Sequence, residues 1–451
     1  MANARQIAFD LLNQVSLGRQ PLDYWLDEAE PRITPLNKAD RALVHALVYG
    51  TLRWQSRLDY CIDHLASKPG KIDAQVRIIF RMALFQMQHL DRIPVSAAVH
   101  TAVEMTKQNE RAWSAGFVNG LLRNAIRNQS MIPWPDPAVA PELALSVRHA
   151  LPRWLAKRWL ARFGPHESEQ LGDAINTIPP IPLRVNSLKT DRANLLAAIG
   201  EETLNAVPTE HTPEGIVLNG VARPLPQWRA FQDGWFQVQD EAAQLVAHFL
   251  APLPGETVWD ACAGLGTKTA HLAQLMNNRG TLIATDLNAV KLDRLNKEMQ
   301  RLGVDIVSSR RIDLEAPSAA LDDLPLFDRI LVDAPCSGLG VLQKNPDGKW
   351  TVNRADLKRC QRRQIALLDT AGRHLRPGGI LVYAVCSFEP EENEAVVNAF
   401  LQNRPEFVIH SPSMDRVTRS DIVLTPRGWL NTFPHRHRMD GFFAAAFVKE
   451  A

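Results

Sequence analysis

The sequence predicts a multidomain protein of three parts: an all-α bundle, a small α+β domain and a C-terminal parallel α/β domain. Three observations carry this. Through roughly the first 130 residues apolar side chains recur at helical spacing, with no window of period two. A dense run of prolines then interrupts the chain. From residue 239 onward, apolar strand segments alternate with helical ones, the pattern of a doubly wound parallel sheet.

The chain has 451 residues, enough for about three domains. With 45% hydrophobic and 22% charged residues it carries the apolar surface that several cores need, which excludes disorder over most of its length. No apolar run approaches the roughly 18 residues of a membrane span. Residues 1–9 lack an apolar signal core. Five cysteines are too few, and an odd number, for a disulfide scaffold, so a reducing, cytoplasmic compartment is expected. A net charge of +2 does not advertise a nucleic-acid partner, so any such surface must come from local clusters.

In the bundle, Ile7, Ala8, Leu11, Leu12 and Val15 share one helical face, as do Ile78, Ile79, Met82 and Phe85, and later Val118, Leu121, Leu122 and Ala125. Pro133, Pro135, Pro137 and Pro141 then fit a stiff linker. A basic helix follows over 148–162, and mixed signals over 183–186, 193–199 and 215–218 predict the small α+β domain. The expected boundaries are 1–130, 131–147, 148–238 and 239–451. In the last domain strands are expected at 257–261, 281–284, 305–308, 329–332 and 380–384, with helices at 268–276, 290–302 and 360–375.

The strand ends carry the chemistry. After the first comes Cys262-Ala263-Gly264-Leu265-Gly266-Thr267-Lys268, a glycine turn into a helix. Such a turn lets a ligand approach the backbone. A third glycine, which a pyrophosphate cofactor would want, is replaced by Thr269. Asp286 ends the second strand, where a carboxylate can accept from both ribose hydroxyls. Asp313 ends the third strand region and Asp333 the fourth. Cys336 follows the fourth strand and Cys386 the fifth, so neighbouring strands would deliver two thiols to one rim. A thiolate adding to carbon 6 of a pyrimidine makes carbon 5 able to attack an electrophilic methyl group, and a base must then remove the carbon-5 proton. Asp333 suits the amino and ring-nitrogen edge of a cytosine. The spacing leaves the roles of the two thiols open. Cys61 and Cys360, in helical segments, read as small apolar groups, and Cys262 as part of the turn.

At these residues the sequence resembles the RNA cytosine 5-methyltransferases that use S-adenosylmethionine. The match runs through the glycine turn, Asp286, Asp313, Asp-Ala-Pro-Cys-Ser-Gly at 333–338, Tyr-Ala-Val-Cys-Ser at 383–387, Pro-Glu-Glu-Asn at 390–393 and Asp-Gly-Phe-Phe at 440–443. The order of a NusB-like helical domain, a small RNA-binding domain and a Rossmann-like methyltransferase domain is similar to that of the bacterial 16S rRNA enzymes of this family. The resemblance implies that Cys386 is the nucleophile and that Cys336 assists product release. It implies that Cys262 to Lys268 form the cofactor loop and that Asp286, Asp313 and Asp333 contact the cofactor. It also implies action on 16S rRNA in an unassembled or partly assembled small subunit; no dimer seam is evident in the sequence, so a monomer is expected. The loop departs from the usual Cys-Ala-Ala-Pro-Gly-Gly-Lys, Val385 replaces the usual Thr, and Gly348 stands where an apolar residue is common.

Arg354, Lys358, Arg359, Arg362 and Arg363 form one basic cluster and His435, Arg436, His437 and Arg438 another; with the helix at 148–162 they are expected to bind phosphates. No acid or cysteine completes a ligand set beside the two histidines, so no catalytic metal is expected. The target cytosine must leave its stack to reach Cys386. A second class fits the same features: an RNA-binding assembly or antitermination-like factor with a vestigial methyltransferase domain, which would not bind S-adenosylmethionine. A DNA methyltransferase fits less well, since that family is expected to place its nucleophile in the Pro-Cys motif.

Overall fold

The computed structural model describes residues 4–450 apart from 19, 129, 130, 204, 317 and 318. The chain divides into two compact units, Met1–Thr177 with Leu342–Val352, and Ile178–Val341 with Asn353–Ala451. Among the described residues no helix is long and apolar enough to cross a membrane.

The first unit is helical throughout its described residues. Its longest early helices, Lys38–Arg53 and Ala74–His89, start where Asn37 and Asp73 accept hydrogen bonds from first-turn amides. Ala74–His89 is the centre of the bundle, with Val76, Ile79, Phe80, Ala83 and Leu84 buried. Gly50 lets the Phe85 ring lie against its helix, since an added Cβ would fall 1.9 Å from the ring. The proline linker is shorter than expected. Pro141 opens a helix, Pro141–Arg148, because a proline at the first helical position has no amide to lose. The basic helix runs over Arg153–Asn176, bent at Gly164, with Leu155 and Trp159 buried.

The segment Leu342–Val352 is held in the same unit by polar bonds. Lys349 is buried and donates to the Arg53 carbonyl at 3.1 Å and to Asn176 Oδ1 at 2.7 Å. Asp347 accepts from the Leu22 amide, and Trp350 Nε1 donates to the Leu52 carbonyl. At Gly348 an added Cβ would lie 3.0 Å from the Leu342 side chain, a contact that a small shift of that side chain relieves.

The second unit holds two sheets. β1 (Ile181–Val185), β2 (Ala206–Pro208), β3 (Gly215–Leu218) and β4 (Phe236–Val238) form an antiparallel sheet in the order β2-β3-β1-β4. Leu183, Val185, Leu195, Ile199, Ile216 and Phe236 make its core. The larger sheet contains β5 (Thr257–Asp260), β6 (Thr281–Asp286), β7 (Val307–Arg311), β8 (Phe327–Asp333), β9 (Leu375–Val385), β10 (Phe407–His410), β11 (Leu430–Asn431) and β12 (Phe443–Lys449). The order is β10-β12-β9-β8-β5-β6-β7, with β11 on β12. β7, β6, β5, β8 and β9 are parallel, whereas β12 runs antiparallel to both β9 and β10.

Side chains alternate between two apolar layers: Val258, Leu282 and Leu331 on one face, and Trp259, Ile283 and Ile330 on the other. Both faces are therefore covered, as a parallel sheet requires. All five expected strands occur. β7 starts two residues later than expected and is an edge strand of mixed exposure, so its polar residues hid its end. β9 is longer, because its pairing with β8 jumps past Pro377, Gly378 and Gly379. The helix expected at 360–375 is Arg354–Arg373, opened by a capping box of Asn353 and Asp356.

Candidate active site

The glycine turn after β5 is built as its residues require. Gly266 sits at φ 82° as the cap of helix Thr267–Leu275, and an added Cβ would strike Leu295 at 2.6 Å. Gly264, at φ 56°, has open space where a Cβ would project, which suits a ligand lying on the loop. Ala263 N–H donates to the Thr285 carbonyl, and Gly264 N–H to Asp286 Oδ2 at 3.0 Å. Asp286 Oδ1 accepts from Asn288 N–H, so this carboxylate holds the loop while retaining acceptor capacity for a ribose. A cleft of about 590 Å³ is lined by Cys262, Asp286, Asp313, Pro335 and Arg363 among others. The residues present thus fit an adenosyl group: an open glycine loop, an acid at the end of β6 and a second acid beyond β7.

Lys268 leaves this loop inward. Its Nζ lies 2.7 Å from Asp333 Oδ2 at the end of β8. Burial opposes the Lys268 charge, but the charge and hydrogen bond of Asp333, and then the Cys386 sulfur, outweigh it and hold the ammonium above its usual pKa.

Because β8 and β9 are parallel neighbours, the turns that follow them meet. Cys336 Sγ and Cys386 Sγ are 3.3 Å apart, and no disulfide joins them. The backbone locks the turns together: Gly340 N–H donates to the Cys386 carbonyl at 3.0 Å, and Gly441 N–H to the Gly340 carbonyl at 2.9 Å. An added Cβ on Gly340 would fall 1.9 Å from the Gly441 oxygen, so only glycine fits. The hydrogen bond with Cys386, then burial, then the charges of Cys386 and Glu392 push the Cys336 thiol well above its usual pKa. Cys262 is raised by burial and by Asp260, Asp333 and Asp286, which keeps it protonated. Cys61 is buried in the helical unit. Cys360 is raised to about 11, chiefly by burial and Glu392.

The structure therefore brings Cys336, Cys386, Asp333 and Lys268 together and sets Cys262, Asp286 and Asp313 on the adjoining cleft. The basic clusters are less uniform. Arg354, Lys358, Arg359 and Arg362 are exposed, but Arg359 pairs with Asp356 and Arg363 with Glu315. His437 is taken up internally, accepting from Phe433 N–H through Nδ1. In the basic stretch 148–162, Arg148, which ends the helix Pro141–Arg148, pairs with Glu169, and Lys157 on the following helix pairs with Glu142.

Three residues carry no assigned role in the sequence, although Glu392 lies within the Pro-Glu-Glu-Asn motif of the resemblance. Asp260, at the end of β5, is buried, and burial raises it to about 7 while Thr269 Oγ1 donates to it; the strand-end rule used for Asp286 applies to it equally. Arg184 on β1 is buried and donates to Gln237, Gln239, Gln274 and the Thr267 carbonyl, so the small sheet anchors the first residue of the helix that follows the glycine turn. Near it Glu214, His248 and His271 bring ligand-type atoms within 4.8 Å of one another, and burial, then the charges of Arg184 and His248, depress His271. Glu392 is buried between the two cysteine turns, and the repeated Cys-Ser pairs at 336–337 and 386–387 were its signal.

Comparison with known proteins agrees with this geometry. Residues 247–448 match the family model of 16S rRNA methyltransferase RsmB/F, residues 2–127 the NusB family, and residues 151–223 the ferredoxin-like domain of RsmF/B-like methyltransferases. The chain is 35% identical over 450 residues to a probable ribosomal RNA small subunit methyltransferase B of Synechocystis, covering 100% of both chains. It is 35% identical over 454 residues to ribosomal RNA small subunit methyltransferase B of Pseudomonas putida, covering 100% of this chain and 98% of the relative. The crystal structure of PH0851 superposes with a TM-score of 0.80 at 26% identity, covering 98% of each chain. The helical part is thus a NusB domain and the small sheet a ferredoxin-like domain, followed by a mixed α/β methyltransferase sheet, and the chain belongs to the RsmB-type family of S-adenosylmethionine-dependent 16S rRNA methyltransferases.

Proposed function

We propose that this protein methylates carbon 5 of a cytosine in 16S rRNA, with Cys386 bonding to carbon 6 and Cys336 assisting release. The observation that carries the reading is the 3.3 Å separation of the two sulfurs beside the cofactor loop. S-Adenosylmethionine, held by the glycine turn, Asp286 and Asp313, supplies an electrophilic methyl group. The ammonium of Lys268 holds Asp333 by a hydrogen-bonded ion pair, and the Asp333 carboxylate faces the amino and ring-nitrogen edge of the base. Cys386 sulfur adds to carbon 6, and the electron pair displaced to carbon 5 takes up the methyl group, whose bond to the donor sulfur would break with its electrons left on that sulfur as a neutral thioether. Loss of the carbon-5 proton then expels the Cys386 thiolate and restores the ring.

The two thiols divide these tasks by charge. Cys336 is held protonated mainly by its hydrogen bond with Cys386. For the elimination step Cys336 first gives up its own proton to solvent; its thiolate then accepts the carbon-5 proton as the Cys386 thiolate departs. The target base is unpaired or flipped, in rRNA not yet fully assembled into the small subunit.

Cys386→Ala protein incubated with 16S rRNA and labelled S-adenosylmethionine should transfer no methyl group; retained turnover refutes the assignment. Cys336→Ala should accumulate a protein–RNA adduct on a denaturing gel, and absence of that band removes its release role. Calorimetry with S-adenosylmethionine tests the cofactor, and no binding would favour an RNA-binding factor with a vestigial domain.

A further inference from the structure

Glu392 is fully buried, an uncommon place for a carboxylate. Such burial is costly unless the group is well bonded. Four neutral donors answer it. Oε1 accepts from Ser337 N–H at 2.8 Å and from Gln364 Nε2 at 3.1 Å. Oε2 accepts from Ser387 Oγ at 2.6 Å and from the Ser337 hydroxyl. Four bonds use the full acceptor capacity of a carboxylate.

The donors are not scattered. Ser337 follows Cys336 directly and Ser387 follows Cys386 directly. Gln364 also donates to the carbonyl of Pro335, the residue before Cys336. The Glu392 backbone carbonyl accepts from Tyr383 Oη at 2.6 Å, three residues before Cys386. One side chain and its own peptide therefore grip both turns that present the sulfurs.

We propose that Glu392 is a positioning residue for methyl transfer: it joins the turn after Cys336 to the turn after Cys386 and fixes the spacing of the two thiols. The inference rests on the two-cysteine reading above. Glu392 does not touch the reacting atoms, so its effect reaches the chemistry only through the two sulfurs. A misplacement of about 1 Å in such a pair lowers the rate roughly 100-fold. Glutamine at 392 keeps the clamp. Its oxygen serves Ser337 N–H and Gln364, while the two serine hydroxyls turn to accept from its amide.

The test uses the full chain as Glu392→Ala and Glu392→Gln, assayed for methyl transfer to 16S rRNA, for S-adenosylmethionine affinity and for binding of phenylarsine oxide, which bridges paired thiols. The expected result for Glu392→Ala is a kcat lower by about 100-fold, with KM for RNA and cofactor affinity near wild type and weakened arsenical binding. Glu392→Gln should restore kcat to within about tenfold and recover arsenical binding. Should Glu392→Ala fail to fold, Ser387→Ala removes a single donor and should lower kcat and arsenical affinity in the same direction. Wild-type kcat and arsenical affinity in folded Glu392→Ala overturn the proposal, as does equal loss of cofactor binding in both Glu392 variants. Activity in Cys386→Ala would instead overturn the two-cysteine reading, so the two failures are distinct.

Discussion

Lys268 and Asp333 form an ion pair of 2.7 Å that joins the glycine loop after β5 to the strand leading to Cys336. Lys268 is buried and Asp333 partly so, which makes the pair sensitive to loss of either member. Truncating one partner of such a pair costs about 3 kcal/mol. Lys268→Met should therefore lower the unfolding midpoint and reduce kcat/KM for methyl transfer by at least about 100-fold. Urea unfolding and a labelled-methyl assay read the two effects; wild-type turnover in the variant would dismiss the electrostatic role.

Gly340 gives a purely steric prediction. A methyl group there collides with the backbone of Gly441 and comes within 2.9 Å of the Cys386 carbonyl, so the turns must separate. Gly340→Ala should lose about 100-fold in turnover while still binding S-adenosylmethionine, because the glycine loop is untouched. Paired turnover and calorimetry measurements decide this.

Asp260 predicts a pH dependence. Burial raises it from 3.8 to about 7, so between those values the folded protein keeps a proton that the unfolded chain has released. Stability from this group therefore falls as pH rises through that window and is level above it, by about 4 kcal/mol in all. Asp260→Asn removes the group, so its unfolding free energy should gain on wild type as pH rises from about 4 to about 7. Parallel stability curves for the two proteins would contradict the assignment.

Lys349 is held by acceptors alone, and burial lowers its pKa well below that of an exposed lysine. Lys349→Met would strand the Arg53 carbonyl and Asn176 Oδ1. Each buried, unsatisfied acceptor costs about 1–3 kcal/mol. The variant should unfold at lower denaturant, and an unchanged midpoint would show that these bonds contribute nothing net.

The parts of this site that could be read in the sequence share a physical basis. Cys336, Cys386, Asp286 and Asp333 follow apolar strand segments, and a parallel sheet delivers strand ends to one rim. Glu392 could not be placed this way, because it does not follow a strand end directly, and its bond to Ser337, 55 residues away, depends on how the loop after Cys386 folds back. β12 was obscured by Ala444, Ala445 and Ala446, whose small side chains carry little strand signal but fit between β9 and β10. Lys349 was hidden for the opposite reason: a lysine in a polar stretch reads as exposed, and here hydrogen bonds to the helical unit bury it.

The position of β12 bears on how the enzyme is made. This strand leaves the ribosome well after Cys386, yet it pairs directly with β9, and Gly441 just before it supplies backbone that props the Cys336 turn. The strand that backs the Cys386 turn therefore lies C-terminal to both thiols, and a truncation before residue 443 would remove the β12 pairing from β9 while leaving both cysteines in the chain.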